Sequence, residues 1–314
     1  MNIPAKLPEF VKVDEKLDLI HQLALKDPLL SIIKEKFQLE VNHHLSSLKG
    51  HTKSSATDTL SKKNVDNEAL KQAYLSIGKE LAVTQYVFDI SSQILSTSGI
   101  LLLAEILFDE KTFRQKEVFI LNINGDRQPT PKAELVPQEM EKLVNWYNNA
   151  IKENTLHPIA LATQLHFQLT TIRPFEDWNG RIARLLLNVA LMKHGYLPIL
   201  IGAGERLAYY ENLELADKGS IEPLVRFIAN KELETIIEFM KSPEYISIQA
   251  KFELKQQMNS ISGGEKCIVL TEDSATDNLL AILLESSGFK MDETNIISYE
   301  GCSKISSANL FSIF

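Results

Sequence analysis

The stretch from Arg173 to Arg184 constrains this chain more than any other, because it is a short loop that leads directly into an apolar helix. A Pro-Phe pair and a carboxylate are followed by Asn179-Gly180, and then by apolar residues at helical spacing. A helix N-terminus offers backbone N–H groups and a positive dipole, and Arg181 and Arg184 add guanidinium groups. The sequence therefore predicts an anion-binding loop between two helices.

The composition is that of an ordinary soluble globular protein. The chain has 314 residues, 44% of them hydrophobic, and a formal net charge of -8 at pH 7. This charge argues against nucleic acid or an anionic membrane as the main ligand, since neutralising phosphates needs a basic surface. The sequence shows no signal peptide and no apolar run of 18 or more residues. We expect a cytoplasmic protein and leave its oligomeric state open, homo-oligomers included.

Most of the chain has helical periodicity. Helices are predicted over residues 4–38, from 67 to about 97, and over 101–108, with a mobile Ser/Thr/Lys-rich loop at 51–66. Residues 118–123 have strand composition and are followed by the turn Asn124-Gly125-Asp126, which predicts a hairpin. Further helices are predicted from Pro137, which suits a first helical turn, and over residues 157–172, 206–217, 222–241 and 243–258.

The composition changes after the Ser/Gly-rich linker at residues 260–264. A strand at 267–270, a helix at 277–287 and a strand at 296–299 predict a small β-α-β unit. Cys267 and Cys302 are the two cysteines, and their spacing suits neither a metal site nor a disulfide framework, so we expect reduced thiols. We predict three domains: an N-terminal helical region (1–110), a core (111–258) and a small α/β segment (259–314).

The residues of this loop resemble the signature of a known family. The chain has Arg173-Pro174-Phe175-Glu176-Asp177-Trp178-Asn179-Gly180-Arg181 followed by Arg184. This run resembles the signature H-P-F-x-[D/E]-G-N-G-R-x-x-R of the Fic (Fido) family. The resemblance extends over residues 113–229. It implies a mainly α fold, a Fic-type helical bundle with a short β-hairpin flap. It also implies transfer of AMP from Mg-ATP to a hydroxyl of a target protein, so ATP and Mg²⁺ are expected cofactors by resemblance only.

The resemblance also implies roles for individual residues. Asp177 would hold magnesium, a hard cation that prefers oxygen ligands. The phosphates would be bound by the loop residues Trp178, Asn179 and Gly180 and by the helical arginines Arg181 and Arg184. The nucleotide would also contact the downstream pair Tyr209 and Tyr210. The alternative is that Arg181 and Arg184 are exposed, solvated residues of a first helical turn, where cations oppose the helix dipole unless an anion neutralises them.

Two residues of the loop depart from the signature. Arg173 stands where the family has the His that removes a proton from the attacking hydroxyl, and arginine has no acceptor lone pair with which to act as a base. Loss of such a base typically costs about 10²- to 10⁴-fold in rate. Trp178 stands where the family has a glycine, and we expect its side chain to resist the glycine dihedrals or to occupy phosphate space. The loop therefore predicts binding with impaired catalysis.

Three further features concern catalysis and its control. His166 lies two helical turns before Arg173 and is expected to be a satisfied core histidine rather than a replacement base. The segment Leu45 to Gly50 resembles the family's inhibitory helix, with Lys49 at the position of the inhibitory Glu; an ordinary helix end at Gly50 explains it equally well. The hairpin resembles the flap that aligns a target segment, with Phe119, Leu121 and Ile123 as candidate residues.

The C-terminal segment is similar to the opening of a Toprim fold, a metal-binding module. Glu272 follows the first strand where that family has a metal-associated Glu, but the expected Asp-x-Asp does not follow. One carboxylate rarely holds a hard cation tightly enough for catalysis, so we expect a partial domain without nuclease activity.

The leading hypothesis is a Fic-fold protein that binds a nucleotide or a phosphate ligand and is catalytically impaired, in effect a pseudoenzyme. The alternatives are an active protein adenylyltransferase and a non-catalytic scaffold that recruits a partner. The target protein is unknown in each case.

Overall fold

The computed structural model describes residues 7–23, 82–83, 85–121, 125, 127–243, 245–246, 248–249, 252, 267–269, 290–291 and 296–298. The predicted loop at 51–66, the Lys49 segment, Ile123, Glu272, Cys302 and the helix predicted at 277–287 lie outside these residues. The chain divides into two compact units, one of residues 1–19 and 26–237 and the other of residues 20–25 and 238–314. In the part that the model describes, no helix is long and apolar enough to cross a membrane.

The first unit is mainly α-helical, as predicted. Its helices are α1 (Pro8–Leu23), α2 (Thr97–Phe108), α3 (Val136–Glu153), α4 (Pro158–Ile172), α5 (Asn179–Lys193), α6 (Arg206–Asp217) and α7 (Glu222–Met240), with 3₁₀ turns at Ala133–Leu135 and Ala203–Glu205. The first residues of α1 and the body of α7 belong to this unit, and residues 85–91 are also helical. The predicted bounds of α4, α6 and α7 agree with these within a residue or two.

The core of this unit is formed where α4 and α5 pack along each other. Ile159, Leu165, Leu186 and Ala190 are among the fully buried residues at this contact. The two helices run antiparallel because only six residues separate the end of α4 from the start of α5. The loop that joins them, residues 173–178, is the predicted anion-binding loop.

The start of α2 differs from the prediction. The expected helix from residue 67 to about 97 ends by residue 91, and α2 begins at Thr97 rather than at residue 101. The hydroxyl of Ser96 accepts a hydrogen bond from the N–H of Gly99 at 3.0 Å, which is the arrangement of an N-cap. The run Ser96-Thr97-Ser98-Gly99 has no large apolar side chain, and the cap formed by Ser96 decides where the new helix begins.

The predicted hairpin is present. Strands β1 (Phe119–Leu121) and β2 (Arg127–Pro129) are antiparallel, with Phe119 opposite Pro129 and Leu121 opposite Arg127.

The second unit contains three short strands, β3 (Cys267–Val269), β4 (Lys290–Met291) and β5 (Ile296–Ser298), in the order β3-β5-β4. β3 and β5 lie where strands are predicted, but they pair antiparallel, as do β4 and β5. The prediction of a β-α-β unit is therefore wrong in its pairing, since a β-α-β unit has parallel strands. The additional strand β4, which the sequence analysis missed, lies on the other side of β5.

Candidate anion-binding site

A cavity of about 760 Å³ lies beside the N-terminus of α5. The loop before α5, the first two turns of α5, the hairpin and one face of α6 form its wall. The lining residues are Phe119, Ile120, Thr170, Arg173, Asp177, Asn179, Gly180, Arg181, Arg184, Ala203, Gly204, Arg206, Leu207, Tyr209, Tyr210, Leu213, Glu214 and Asp217. The cavity thus brings together most of the predicted site residues, and Trp178 is absent from the lining.

Arg173 closes α4 and lies at the edge of the cavity. Its backbone is left-handed, with φ 48° and ψ 68°, and its N–H donates to the carbonyl of Leu169 at 3.0 Å. Burial lowers the pKa of its guanidinium, and Asp177 and Tyr210 act in the opposite direction. Arginine stays protonated despite such a shift, so this side chain brings a permanent positive charge into the site.

Trp178 does adopt the backbone conformation of a glycine. Its φ is 65° and its ψ is 3°, which places it in the left-handed region immediately before α5. The indole stacks on Phe108, with ring centroids 6.0 Å apart, and the Arg181 guanidinium lies 4.2 Å from its ring centroid. Trp178 therefore does not resist these dihedrals, contrary to the prediction, and its ring is held against Phe108 of α2, outside the lining of the cavity. That the indole occupies phosphate space stays a prediction.

Asn179 holds the loop together with both ends of its amide. Its Oδ1 accepts from the N–H of Phe175 at 2.9 Å, and its Nδ2 donates to the carbonyl of Phe175 at 2.8 Å. The side chain is 2% exposed. The side-chain amide of Asn179 is thus engaged with the loop, while Asn179 lines the cavity at the first position of α5, where the backbone N–H has no acceptor within the helix.

Gly180 and Arg184 are closely packed one helical turn apart. A β-carbon on Gly180 would lie 3.2 Å from Nη1 of Arg184. Since the φ of Gly180 is not in the left-handed region, the absence of a side chain matters here for space rather than for dihedral freedom. Gly180 lets the Arg184 guanidinium approach the N-terminus of its own helix.

Arg184, Tyr209 and His166 form a buried polar group behind the cavity. The exposed fraction of Arg184 is 8%, that of Tyr209 is 1% and His166 is fully buried. Burial raises the pKa of Tyr209 to about 12, opposed by the charge of Arg184, and the Tyr209 hydroxyl lies 2.8 Å from Nε2 of His166. Burial, together with Arg184, lowers the pKa of His166 to about 3. His166 is therefore a neutral core histidine, but it is not fully satisfied as expected, because its buried Nδ1 has no hydrogen-bond partner among the described residues.

Asp177 is the carboxylate of the loop that lines the cavity, and its Oδ1 accepts from the N–H of Trp178 at 2.7 Å. No group of three or more His, Cys, Asp or Glu side chains suited to a metal occurs among the described residues. Mg²⁺ is commonly bound by one or two carboxylates together with substrate phosphates and water. The donor set present therefore fits Mg²⁺ only as a companion of a phosphate ligand, with Asp177 as its protein ligand.

Arg114, which the sequence analysis missed, connects the hairpin to the loop. Its N–H donates to the carbonyl of Pro174, and its Nε donates to the carbonyl of Arg173, each at 2.8 Å. Its two terminal nitrogens donate to the carbonyls of Lys116 and Pro131 at the base of the hairpin. The side chain is buried, and no local sequence pattern marks an arginine whose partners lie 59 residues away.

One face of α6 supplies the far wall of the cavity. Arg206, Tyr210, Leu213, Glu214 and Asp217 recur at spacings of three and four residues and line the cavity together. Tyr209 and Tyr210 were predicted to lie at the site, whereas the two carboxylates were not. Burial and the neighbouring Glu214 raise the pKa of Asp217. Helical periodicity from Tyr210 onward is the signal that could have found them.

The flap residues are placed only in part. Phe119 lines the cavity and is 44% exposed, and the Arg127 guanidinium lies 4.1 Å from its ring centroid. Leu121 is the last residue of β1. The hairpin thus borders the cavity from the side opposite the buried core.

Comparison with known proteins finds a family resemblance over part of the chain. Residues 85–191 match the model of the Fic/DOC family. The chain is 28% identical over 236 residues to the protein adenylyltransferase Fic of Drosophila grimshawi, a match that covers 72% of this chain and 48% of the fly protein. This chain spans about half the length of the curated relatives that it matches.

Solved structures share the fold. A Fic domain-containing signaling protein from Bacteroides thetaiotaomicron superposes with a TM-score of 0.63 at 24% identity, over 73% of this chain and 94% of that one. A Fic family protein from Desulfovibrio desulfuricans superposes with a TM-score of 0.60 at 17% identity, over 97% and 100% of the two chains. At these identities the comparison establishes a mainly α Fic fold with a short two-stranded hairpin.

Proposed function

We propose that this chain, a Fic/DOC family protein, binds a nucleotide or another phosphate ligand in the cavity beside α5 and is impaired in AMP transfer. The observation that carries the proposal is the presence of Arg173, Arg181 and Arg184 in the lining of one cavity at a helix N-terminus. Guanidinium groups and first-turn N–H groups are the donors that phosphate oxygens accept from most readily.

Impairment follows from the groups that are available to move a proton. A general base must reach the attacking hydroxyl and carry a lone pair, and Arg173 at the family's histidine position carries none. His166 has a lone pair, but it is fully buried and its Nε2 is engaged with Tyr209. The cavity is therefore equipped to hold an anion rather than to activate a nucleophile.

The relatives are named protein adenylyltransferases, so ATP is the natural first ligand to test. When bound with such a ligand, Mg²⁺ would neutralise phosphate charge, and Asp177 is the residue placed to hold it. Arg181 is kept over the Trp178 ring, and Gly180 leaves room for Arg184, so the two guanidinium groups are positioned before a ligand arrives. Such preorganisation reduces the entropy lost on binding.

Isothermal titration calorimetry with ATP, ADP and inorganic phosphate tests the binding half of the proposal. We expect measurable binding of ATP by the unmodified chain and a loss of at least about tenfold in affinity for Arg184→Ala. Arg226→Lys, which alters an arginine paired with Glu9 and Glu222 outside the cavity, is the matched control. Absence of heat with all three ligands would leave the scaffold function in its place.

Incubation with Mg²⁺ and ATP labelled in the α-phosphate tests the catalytic half. We expect no incorporation of label into the chain or into added proteins by the unmodified chain. The double variant Arg173→His with Trp178→Gly restores the family's residues and should incorporate label. Labelling by the unmodified chain would show that it is an active adenylyltransferase.

The alternative of a protein-interaction scaffold has one observation in its favour. Among the residues that the structure describes, the hairpin has two strands, so each strand has an open edge, and Phe119 in the first strand is exposed. An open strand edge can pair with an extended peptide of a partner. Ligand binding and partner binding are compatible in one protein. Calorimetry with ATP, ADP and inorganic phosphate distinguishes a scaffold that binds such a ligand from one that does not.

A further inference from the structure

We propose that Arg173 makes the cavity selective for ligands with two or more linked phosphates over monophosphates. The inference rests on the proposed function and deepens it, because it assigns the ligand class and the residue that selects it. Arg173 is thereby a specificity-determining residue rather than only a lost base.

Two arginines of the cavity carry buried donors that are not satisfied by the protein. Among the described residues, neither Nε of Arg173 nor Nε of Arg184 has a hydrogen-bond partner, although both atoms are buried. Arg184 as a whole is 8% exposed. A buried donor on a charged group costs free energy unless it is paired, and protonation cannot be given up by arginine. An anion in the cavity would supply the acceptors that both atoms lack.

The two arginines enter the cavity from different helices. Arg173 is the residue that closes α4, whereas Arg184 lies in the second turn of α5, with the whole loop between them. A guanidinium group binds phosphate through a pair of parallel N–H donors. Each of the two arginines is therefore paired most fully when it has a phosphate group of its own. Linked phosphates provide one group for Arg184 at the N-terminus of α5 and a second for Arg173.

The charge of the ligand points the same way. Each further phosphate adds negative charge, and Arg173 adds a positive charge that a histidine of ordinary pKa would lack above neutral pH. A monophosphate held at the N-terminus of α5 leaves the buried donor of Arg173 unpaired. A pyrophosphate group therefore gains more from Arg173 than a monophosphate does.

The backbone of Arg173 is fixed before a ligand arrives. Its N–H is bonded to Leu169, and its carbonyl accepts from Nε of the buried Arg114. These two hydrogen bonds fix the position of the Arg173 backbone, from which the side chain enters the cavity. Because the backbone is already ordered, less conformational entropy is lost when a ligand binds.

Calorimetry with ATP, ADP, AMP, inorganic pyrophosphate and inorganic phosphate tests the inference at pH 8 without Mg²⁺. We expect ATP, ADP and pyrophosphate to bind at least about tenfold more tightly than AMP and phosphate. Arg173→Ala should weaken ATP and pyrophosphate by about tenfold to a hundredfold and AMP by less than about threefold. Lys142→Ala, which removes an exposed cation of α3, is the control and should change no affinity.

The pH dependence of a second variant separates binding from a merely structural effect. Arg173→His should bind ATP more weakly at pH 8 than at pH 6, relative to the unmodified chain measured at the same two values, because only the histidine loses its charge between them. Circular dichroism and thermal unfolding identify any variant that fails to fold, and Arg173→Lys, which keeps the charge and the stem, then takes its place.

Three outcomes overturn the inference. Equal affinity of the unmodified chain for ATP and AMP does so, and so does an equal loss of both ligands in Arg173→Ala; each leaves the proposed function standing. Absence of binding of all five ligands overturns the inference and the proposed function together.

Discussion

The two loops at the ends of α5 are built alike and serve different purposes. The loop before α5, residues 173–178, is held by Asn179, whose amide bonds both backbone groups of Phe175. The loop after it, residues 194–202, is held by Asn188, whose amide bonds both backbone groups of Ile199, each at 2.9 Å. One asparagine of α5 thus fixes the loop before the helix, and a second asparagine of the same helix fixes the loop after it.

The loops differ in the buried charge that accompanies them. Glu232 accepts from the N–H of Leu197 at 2.8 Å, is fully buried, and has its pKa raised to about 8 by burial. A carboxyl group can avoid the free-energy cost of burying a negative charge by taking up a proton. Glu232 is such a carboxyl group, and it lies in the core. Arg173 and Arg184 cannot become neutral, because arginine stays protonated in proteins. Both of them line a cavity. A buried group that cannot become neutral is the better indication of a ligand.

The largest effect is expected from removing the amide clamp before α5. Asn179→Ala leaves the N–H and the carbonyl of Phe175 unpaired in a buried place, so it should lower the free energy of unfolding by about 3 kcal/mol. It should also abolish ATP binding, because the arginines follow the loop. Urea denaturation and calorimetry measure the two effects.

Asn188→Ala is the matched control for this variant. It removes the same pair of hydrogen bonds from the other loop and should cost a similar free energy of unfolding, with ATP affinity within about threefold of the unmodified chain. Equal loss of ATP binding in both variants would contradict the distinction between the loops.

The second prediction concerns Glu232→Gln. Because the folded pKa of Glu232 is above its unfolded value, the stability that it contributes is present in full below about pH 4.5 and is lost as pH rises toward 8. Glutamine keeps an acceptor for Leu197 and does not ionise, so at pH 8 the variant should be more stable than the unmodified chain by about 3 kcal/mol.

Thermal unfolding of both chains between pH 5 and pH 8 checks this prediction. The difference in Tm should be largest at pH 8 and should shrink toward pH 5, while ATP affinity stays unchanged. A constant difference across this range would show that Glu232 does not titrate with a raised pKa.

Gly180→Ala tests the space beside Arg184. The new methyl group would lie 3.2 Å from Nη1 of Arg184, so the guanidinium must shift by a few tenths of an ångström. We expect ATP affinity to fall by about fivefold, with little change in Tm because alanine favours the helix. Gly204→Ala is the control: Gly204 also lines the cavity, but its new methyl group meets no atom within 4 Å.

Trp178→Gly should have the smallest effect on binding. Glycine relieves the left-handed backbone by about 1 kcal/mol, while loss of the contacts with Phe108 and Arg181 costs a similar amount. We expect the free energy of unfolding to change by less than about 1 kcal/mol and ATP affinity by less than about threefold. A large gain in affinity would show that the indole does obstruct the phosphates.

The fold was predictable where the signals are local. Pro137 in the first turn of α3, the periodicity of α6 and the turn at Gly125 lie within a few residues of the elements that they define. Strand pairing is not local, and β3 and β5 have the expected positions in the chain but the opposite relative direction. The start of α2 was predicted four residues too late because the cap formed by Ser96 was not recognised.

The site was predictable only along the loop. Arg181 and Arg184 follow from a helix N-terminus with guanidinium groups, and both line the cavity. Arg114 and the carboxylates of α6 lie far from the loop in sequence, and only packing brings them to it. The ring of Trp178 stacks on Phe108, a residue of another helix, so the identity of the residue alone could not give its direction.

By itself, the sequence determined the chemistry of the loop: an arginine where a base is expected, and a helix N-terminus with two further arginines. These are properties of residue types and of neighbours in the chain. Only the tertiary structure decided that the Asn179 side chain holds the loop, that the Trp178 ring stacks on Phe108, and that buried donors of Arg173 and Arg184 border the same cavity. Each depends on which distant groups are close in space, because hydrogen bonding and desolvation act over a few ångströms.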